Sequence, residues 1–106
     1  MDVDEEVSVQ TLETEGILTV LRSRSEEIHR RFAVQRIGIF GSIVRGEGTQ
    51  ASDVDVLVDM SAPTFDRYMD LKFYLEELLG KPVDLVLMDT VKPRLLPHIA
   101  RDTVYV

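Results

Sequence analysis

Apolar residues recur at roughly helical spacing in the first third of the chain, with glutamate and arginine between them. This pattern is typical of an amphipathic helix, which we predict over residues 9–32. We predict an interruption at Gly16, because glycine weakens a helix interior. The residues that set the pattern are Leu12, Ile17, Leu21, Ile28 and Phe32.

Three later segments are short, apolar and rich in β-branched residues, which is the pattern of buried strands. They cover residues 34–40, 53–59 and 83–88. Gly41 ends the first segment, and a short helical turn is predicted from Ser42. A polar loop punctuated by glycines follows over residues 46–52 and leads into the second strand.

A second amphipathic helix lies between the last two of these strands. Pro63 and Thr64 suit its start, and Gly80 with Pro82 stops it. The leucines of its apolar face are Leu71, Leu75, Leu78 and Leu79.

The end of the chain predicts two more elements. Pro93 opens a last helix that runs to about Ala100, and residues 104–106 form a short edge strand. Helices therefore alternate with strands along the chain. This order predicts an α+β fold with α/β-type layers, in which helices flank a small mixed central β-sheet.

The composition suits one domain, which we predict over residues 9–106 behind a mobile acidic N-terminus at residues 1–8. No apolar run approaches the roughly eighteen residues of a transmembrane helix, and the early acidic residues are unlike a secretory signal. We therefore predict a cytoplasmic protein that does not bind membranes. The net charge of −7 argues against non-specific binding to nucleic acid. Because cysteine is absent, a metal would take oxygen or imidazole ligands, which favours Mg²⁺ or Mn²⁺.

Three aspartates occur in the predicted strands. Asp53 and Asp55 are two residues apart, so their side chains point to the same face, with α-carbons about 6.6 Å apart. Asp84 is the single carboxylate of the next predicted strand. Carboxylates on one face of a buried strand repel each other unless a cation offsets their charge. If the two strands are neighbours, the three aspartates form a site for divalent cations. In phosphoryl-transfer enzymes such cations also contact the substrate phosphates.

The sequence Phe40-Gly41-Ser42 marks the point where a strand gives way to a helical turn. Gly41 lets the backbone approach a phosphate closely, and the turn amides and the Ser42 hydroxyl can donate to phosphate oxygens. Arg45, one turn further on, would place its guanidinium against a departing pyrophosphate. Alternatively, Arg45 caps the turn or pairs with Glu47. Together with the aspartates, this motif predicts nucleotidyl transfer from a nucleoside triphosphate.

The spacing of these motifs resembles that of the DNA polymerase beta-like nucleotidyltransferase superfamily. Gly41-Ser42 is followed by ten residues and then by Asp53-Val54-Asp55, and Arg45-Gly46 lies within the gap. Residues 10–106 resemble the smallest branch of this superfamily, the minimal nucleotidyltransferase (MNT) proteins. The third carboxylate of the family falls on Asp84.

This resemblance implies a nucleotidyltransferase fold and an antitoxin that transfers AMP from ATP to a tyrosine of a HEPN toxin, an RNase, with which it would form a hetero-oligomer. It implies that Ser42 holds the triphosphate and that Asp53 and Asp55 bind both metal ions. It also implies that Asp84 binds one metal ion and helps to deprotonate the acceptor.

The same residues are compatible with other functions. The same fold could act as a non-catalytic antitoxin that neutralises its partner by occlusion, or it could transfer a nucleotide to RNA or to a small molecule such as an aminoglycoside. The acidic charge and the lack of an acceptor-binding domain disfavour transfer to RNA or to a small molecule. Asp59 is interpreted as a solvated residue at a strand end, and His29 and His98 as surface or packing residues.

Overall fold

The computed structural model describes residues 9–45 and 53–106, so the acidic N-terminus and the loop predicted over residues 46–52 lie outside the described part of the chain. The elements within the described ranges are, in chain order, α1 (Val9–Ser23), α2 (Ser25–Phe32), β1 (Val34–Phe40), β2 (Val54–Met60), α3 (Phe65–Leu79), β3 (Val83–Leu87), a 3-10 helix (Met88–Thr90), α4 (Leu96–Asp102) and β4 (Val104–Tyr105). None of these helices is both long enough and apolar enough to cross a membrane.

The strands form one mixed sheet in the order β3-β2-β1-β4. β1 is antiparallel to both β2 and β4, whereas β2 and β3 run parallel. Parallel neighbours need a crossover connection, which α3 supplies here. The sheet confirms the predicted fold class, and it places the two strands that carry the aspartates side by side.

The core lies on the face of the sheet that α1, α2 and α3 cover. Val54, Val56 and Val58 point into it from β2, as predicted, and each is at most 1% exposed. The completely buried side chains that the helices contribute are Leu21, Ile28, Leu71 and Leu75. Because successive strand residues point to opposite faces, Asp55 projects from the other face, where α4 contacts β1.

The N-terminal helix is interrupted at Arg24, and the prediction of an interruption at Gly16 is wrong. Arg24 has φ −113° and ψ 8°, which lies outside the helical range. Ser23, the last residue of α1, donates its hydroxyl to the Val20 carbonyl at 2.7 Å, a local bond that competes with the helical backbone pattern. Gly16 stays helical because one glycine costs only about 1 kcal/mol relative to alanine, and buried neighbours in α1 offset that cost.

Replacing Gly16 with alanine is expected to stabilise the protein by about 0.5–1 kcal/mol. Gly16 is exposed, and within the described residues an added Cβ would have no atom within 4 Å other than those of its chain neighbours and its own helix backbone, so the gain in helix propensity meets no steric cost. Gly80→Ala is the matched control. It also has open space, but its φ of +68° should make the substitution destabilising by about 1–2 kcal/mol. Urea unfolding measures both, and a destabilised Gly16→Ala variant would contradict the expectation.

Four predicted strand boundaries differ from the observed ones, because β2 both begins and ends one residue later than predicted and β3 and β4 each end one residue earlier. β2 begins at Val54, whose N–H donates to the Pro82 carbonyl at 2.9 Å, so Asp53 lies immediately before the strand. β3 ends at Leu87, because Met88 begins the 3-10 helix. These shifts are of one residue and leave the order of the elements unchanged.

The third helix is confirmed at both ends, whereas the last helix starts later than predicted. The Thr64 hydroxyl accepts the first capping bond of α3, and Gly80 ends it in the left-handed conformation. Pro93 opens a turn rather than α4 itself. The Lys92 carbonyl accepts a hydrogen bond from the Leu96 N–H, and α4 begins only at Leu96.

The outer edge of β3, which has a neighbouring strand on one side only, is bonded to side chains of α3. The Tyr68 hydroxyl donates to the Leu85 carbonyl at 2.5 Å. The Glu76 carboxylate accepts the Val83 N–H at 3.0 Å and the Lys72 ammonium at 2.9 Å. The bond from Val83, followed by that from Lys72, lowers the pKa of Glu76. These bonds fix the start of β3, directly before Asp84.

Candidate active site

The turn after β1 is anchored to the core. Gly41 has φ +85°, and its carbonyl accepts the Arg45 N–H at 3.1 Å, which closes the single helical turn predicted from the sequence. The Ile43 side chain packs into the core, and its carbonyl accepts the Thr14 hydroxyl of α1 at 3.0 Å. Ser42 lies between these anchored residues and is therefore held in place.

Gly41 packs directly against Asp55 of the neighbouring strand. A Cβ added to Gly41 would collide with Oδ2 of Asp55 and come within 3.0 Å of its Cγ. The register of the sheet explains this approach, because Phe40, the last residue of β1, pairs with Asp55. The glycine-serine turn and Asp55 therefore meet at one end of the sheet.

Asp84 lies directly opposite Asp55 in the parallel pair of β2 and β3, so the predicted adjacency of the two strands is confirmed. A hydrogen bond with the Asp84 side chain is one of the smaller causes that raise the pKa of Asp55. Asp53 precedes β2 and interacts electrostatically with Asp55. Asp55 is partly buried, whereas Asp53 and Asp84 are exposed.

Negative charge is concentrated around Asp55. Burial raises the pKa of Asp55 above its ordinary value, and repulsion from Asp84 and then from Asp53 raises it further. The Arg45 guanidinium is close enough to act in the opposite direction and lower the pKa of Asp55. The folded protein thus holds like charges together at a cost in free energy, which a bound cation would offset.

These residues fit a divalent cation in their chemistry. Carboxylate oxygens are the ligands that magnesium and manganese prefer, and Asp55 and Asp84 already meet side by side. Within residues 9–45 and 53–106, however, no three acidic or histidine side chains form a ready-made metal site. The three carboxylates would therefore have to come closer together to share one ion.

A cleft of about 440 Å³ opens beside Asp55. The residues that line it are Phe40, Gly41, Ser42, Arg45, Asp55, His98, Ile99 and Asp102. The end of β1 and the following turn form one wall, and α4 forms the other. Another cleft of about 430 Å³, between α3 and β3, is lined by uncharged residues such as Phe65 and Leu85 and does not suit phosphate.

The α4 wall was missed in the sequence interpretation. His98, interpreted there as a surface or packing residue, is exposed and lines the cleft with Asp102. The available signal was the polar face that His98, Arg101 and Asp102 form at positions i, i+3 and i+4 of the last helix. His29, in contrast, is hydrogen-bonded within the fold, because its Nδ1 lies 2.6 Å from the Val34 carbonyl oxygen.

The fold matches that of minimal nucleotidyltransferases. A solved structure described as a minimal nucleotidyltransferase is 36% identical to this chain, with a TM-score of 0.69 over 82% of this chain and 93% of its own. A family model for the nucleotidyltransferase domain matches residues 21–106. The chain therefore belongs to the nucleotidyltransferase domain family and is a nucleotidyltransferase.

A relative points to one branch of that family, and a further solved structure shares the fold. The protein adenylyltransferase MntA of Thermococcus cleftensis is 43% identical over 96 residues, which cover 90% of this chain and 97% of MntA. The structure of the tri-AMPylated HEPN toxin of Shewanella oneidensis in complex with its MNT antitoxin contains a chain of similar fold. That chain is 21% identical, with a TM-score of 0.55 over 92% of this chain and 71% of its own.

Proposed function

We propose that this protein transfers AMP from ATP to a protein partner, a HEPN-type toxin, and acts as its antitoxin in the cytoplasm. The observation that carries the proposal is the meeting of Asp55 and Asp84 beside the Gly41-Ser42 turn. The name of the MntA relative supports adenylyl transfer to protein. The complex of an AMPylated HEPN toxin with an MNT antitoxin supports the class of partner.

Each residue of the site has a role in this proposal. Ser42 and the amides of its turn donate to the triphosphate, and Arg45 stabilises the departing pyrophosphate. Asp53, Asp55 and Asp84 would hold Mg²⁺ or Mn²⁺, which, when bound, neutralises charge on the phosphates.

The reaction is an in-line displacement at the α-phosphorus. An acceptor hydroxyl forms a bond to this phosphorus while the bond to the bridging oxygen of the β-phosphate breaks. The hydroxyl proton passes to Asp84, the exposed carboxylate at the edge strand, and pyrophosphate leaves. Because Asp84 is exposed, it is accessible to a side chain that a partner protein presents.

The proposal is tested by incubating the protein with its toxin partner, Mg²⁺ and α-labelled ATP. The wild type is expected to label the partner, with a mass increment of AMP, and an Asp53→Ala, Asp55→Ala double variant is expected not to. Equal labelling by the double variant would exclude catalysis at this site. If the unlabelled toxin were still neutralised by the double variant, occlusion would account for the antitoxin activity instead.

A further inference from the structure

The second wall of the cleft, α4, has no role in the transfer as proposed so far. His98 and Asp102 are one helical turn apart on α4, and both line the cleft together with Ser42 and Arg45. Two polar side chains of α4 are thus placed beside the groups that would hold the triphosphate.

The position of α4 relative to the turn is set by the sheet. Thr103 alone joins α4 to β4, and β4 pairs with Gly38 and Ile39 of β1. The Thr103 hydroxyl also donates to the Ile99 carbonyl at 2.7 Å, which secures the end of the helix. Because β1 leads directly into Gly41, α4 and the glycine-serine turn are fixed to the same strand.

The contact between Arg101 and His98 fixes the hydrogen-bonding role of the imidazole. A guanidinium nitrogen of Arg101 lies 3.0 Å from Nδ1 of His98. Guanidinium has donors only, so Nδ1 must accept, and the proton of the neutral ring is on Nε2. His98 therefore presents an N–H donor at the far side of its ring, and Arg101 acts as a positioning residue.

The geometry points to α4 as a nucleotide-binding wall, in which the Nε2–H of His98 donates to a polyphosphate oxygen of ATP. This inference rests on the proposed function. Ser42 and Arg45 offer donors from the first wall, and a donor from the facing wall holds the polyphosphate from a second side. Asp102 weakens nucleotide binding, because its carboxylate repels the same phosphates.

The two residues of the wall should therefore have effects of opposite sign on nucleotide affinity. His98→Ala removes a hydrogen bond to a charged group and is expected to weaken binding about tenfold. His98→Gln places an amide N–H near the position of Nε2 and should keep affinity within about threefold of the wild type. Asp102→Asn removes a screened repulsion and is expected to tighten binding about threefold. His98 is exposed, so the His98 variants should fold normally, which their melting temperatures check.

The experiment is calorimetric titration of the whole chain with α,β-methylene-ATP and Mg²⁺, an analogue that cannot be transferred. Asp89→Asn is the matched control, because Asp89 is exposed and does not line the cleft, and it should bind like the wild type. Unchanged affinity in His98→Ala, or weaker binding by Asp102→Asn, would overturn the inference while leaving the proposed function standing. A wild type that binds no nucleotide would overturn both.

Discussion

Replacing Asp55 with asparagine is expected to reduce nucleotidyl transfer by about 10³-fold or more and to raise the melting temperature of the metal-free protein. The loss of activity follows because metal-assisted stabilisation of the transition state is worth several kcal/mol, and about 4 kcal/mol corresponds to a factor of 10³. The gain in stability follows because asparagine has the same shape but removes a carboxylate that Asp84 and Asp53 repel.

The gain in stability of the Asp55→Asn variant should depend on pH, and the direction of this dependence follows from the raised pKa of Asp55. Folding raises the pKa of Asp55, so the folded state holds this proton more tightly than the unfolded chain. The resulting stability is fully present below the ordinary pKa of 3.8 and is lost as the pH rises through the higher pKa of the folded state. The advantage of Asp55→Asn over the wild type should therefore appear as the pH rises toward neutrality.

With Mg²⁺ present, the wild type should become more stable than the Asp55→Asn variant. A ligand that binds only the folded state stabilises it by about 2.7 kcal/mol at a hundred times its dissociation constant, and the variant lacks the site. Melting temperatures with and without Mg²⁺ at several pH values measure both effects. Asp59→Asn is the control, because Asp59 lies four residues along β2, about 13 Å from Asp55. A metal-free Asp55→Asn variant that melts below the wild type at neutral pH would refute the electrostatic argument.

Replacing Gly41 with alanine is expected to destabilise the protein by about 2–5 kcal/mol and to lower the transfer rate about 10²-fold. A side chain at φ +85° is strained, and the new Cβ would collide with the Asp55 carboxylate. The protein relieves the collision by moving Asp55 or the turn, and displacements of about 1 Å at a reacting centre cost this much in rate. Urea unfolding and labelled-ATP assays at a temperature where the variant is folded measure the two effects.

A double-mutant cycle separates strain at Gly41 from the collision with Asp55. In an Asp55→Ala background the colliding atoms are gone, so Gly41→Ala should cost only about 1–2 kcal/mol. Gly80→Ala, which has a similar positive φ but open space, shows the cost of strain alone. An equal cost of Gly41→Ala in both backgrounds would show that the close approach to Asp55 has no energetic consequence.

Much of the fold could be predicted because its signals are local. The valines of β2 occupy every second position, the leucines of α3 follow helical spacing, and Thr64 and Gly80 are ordinary helix caps. The pairing of Asp55 with Asp84 followed from one further assumption, that consecutive strands joined by a helix are neighbours. These predictions were confirmed because local preference and tertiary packing agree at each of these residues.

The remaining features depend on contacts that have no local signature. The helix breaks at Arg24, where no glycine or proline marks the break. The sequence pattern therefore favoured Gly16 as the point of interruption. The late start of α4 after Pro93 reflects a turn whose bonds only the folded chain reveals. The position of His98 depends on a two-residue strand, β4, that pairs far back in the sequence with β1. The sequence indicated this edge strand and the polar face of the last helix but not the pairing of the strand with β1, so it could not place α4 beside the glycine-serine turn.

The side chains along the free edge of β3 limit how this protein can associate with others. Tyr68 and Glu76 already occupy backbone groups that an incoming strand would need, at Leu85 and Val83. Exposed sheet edges are common routes to aggregation and to the docking of extended peptides. On this flank a protein partner would have to be recognised through side chains, and Asp84, at the same flank, stays accessible to an acceptor group instead of being covered by a foreign backbone.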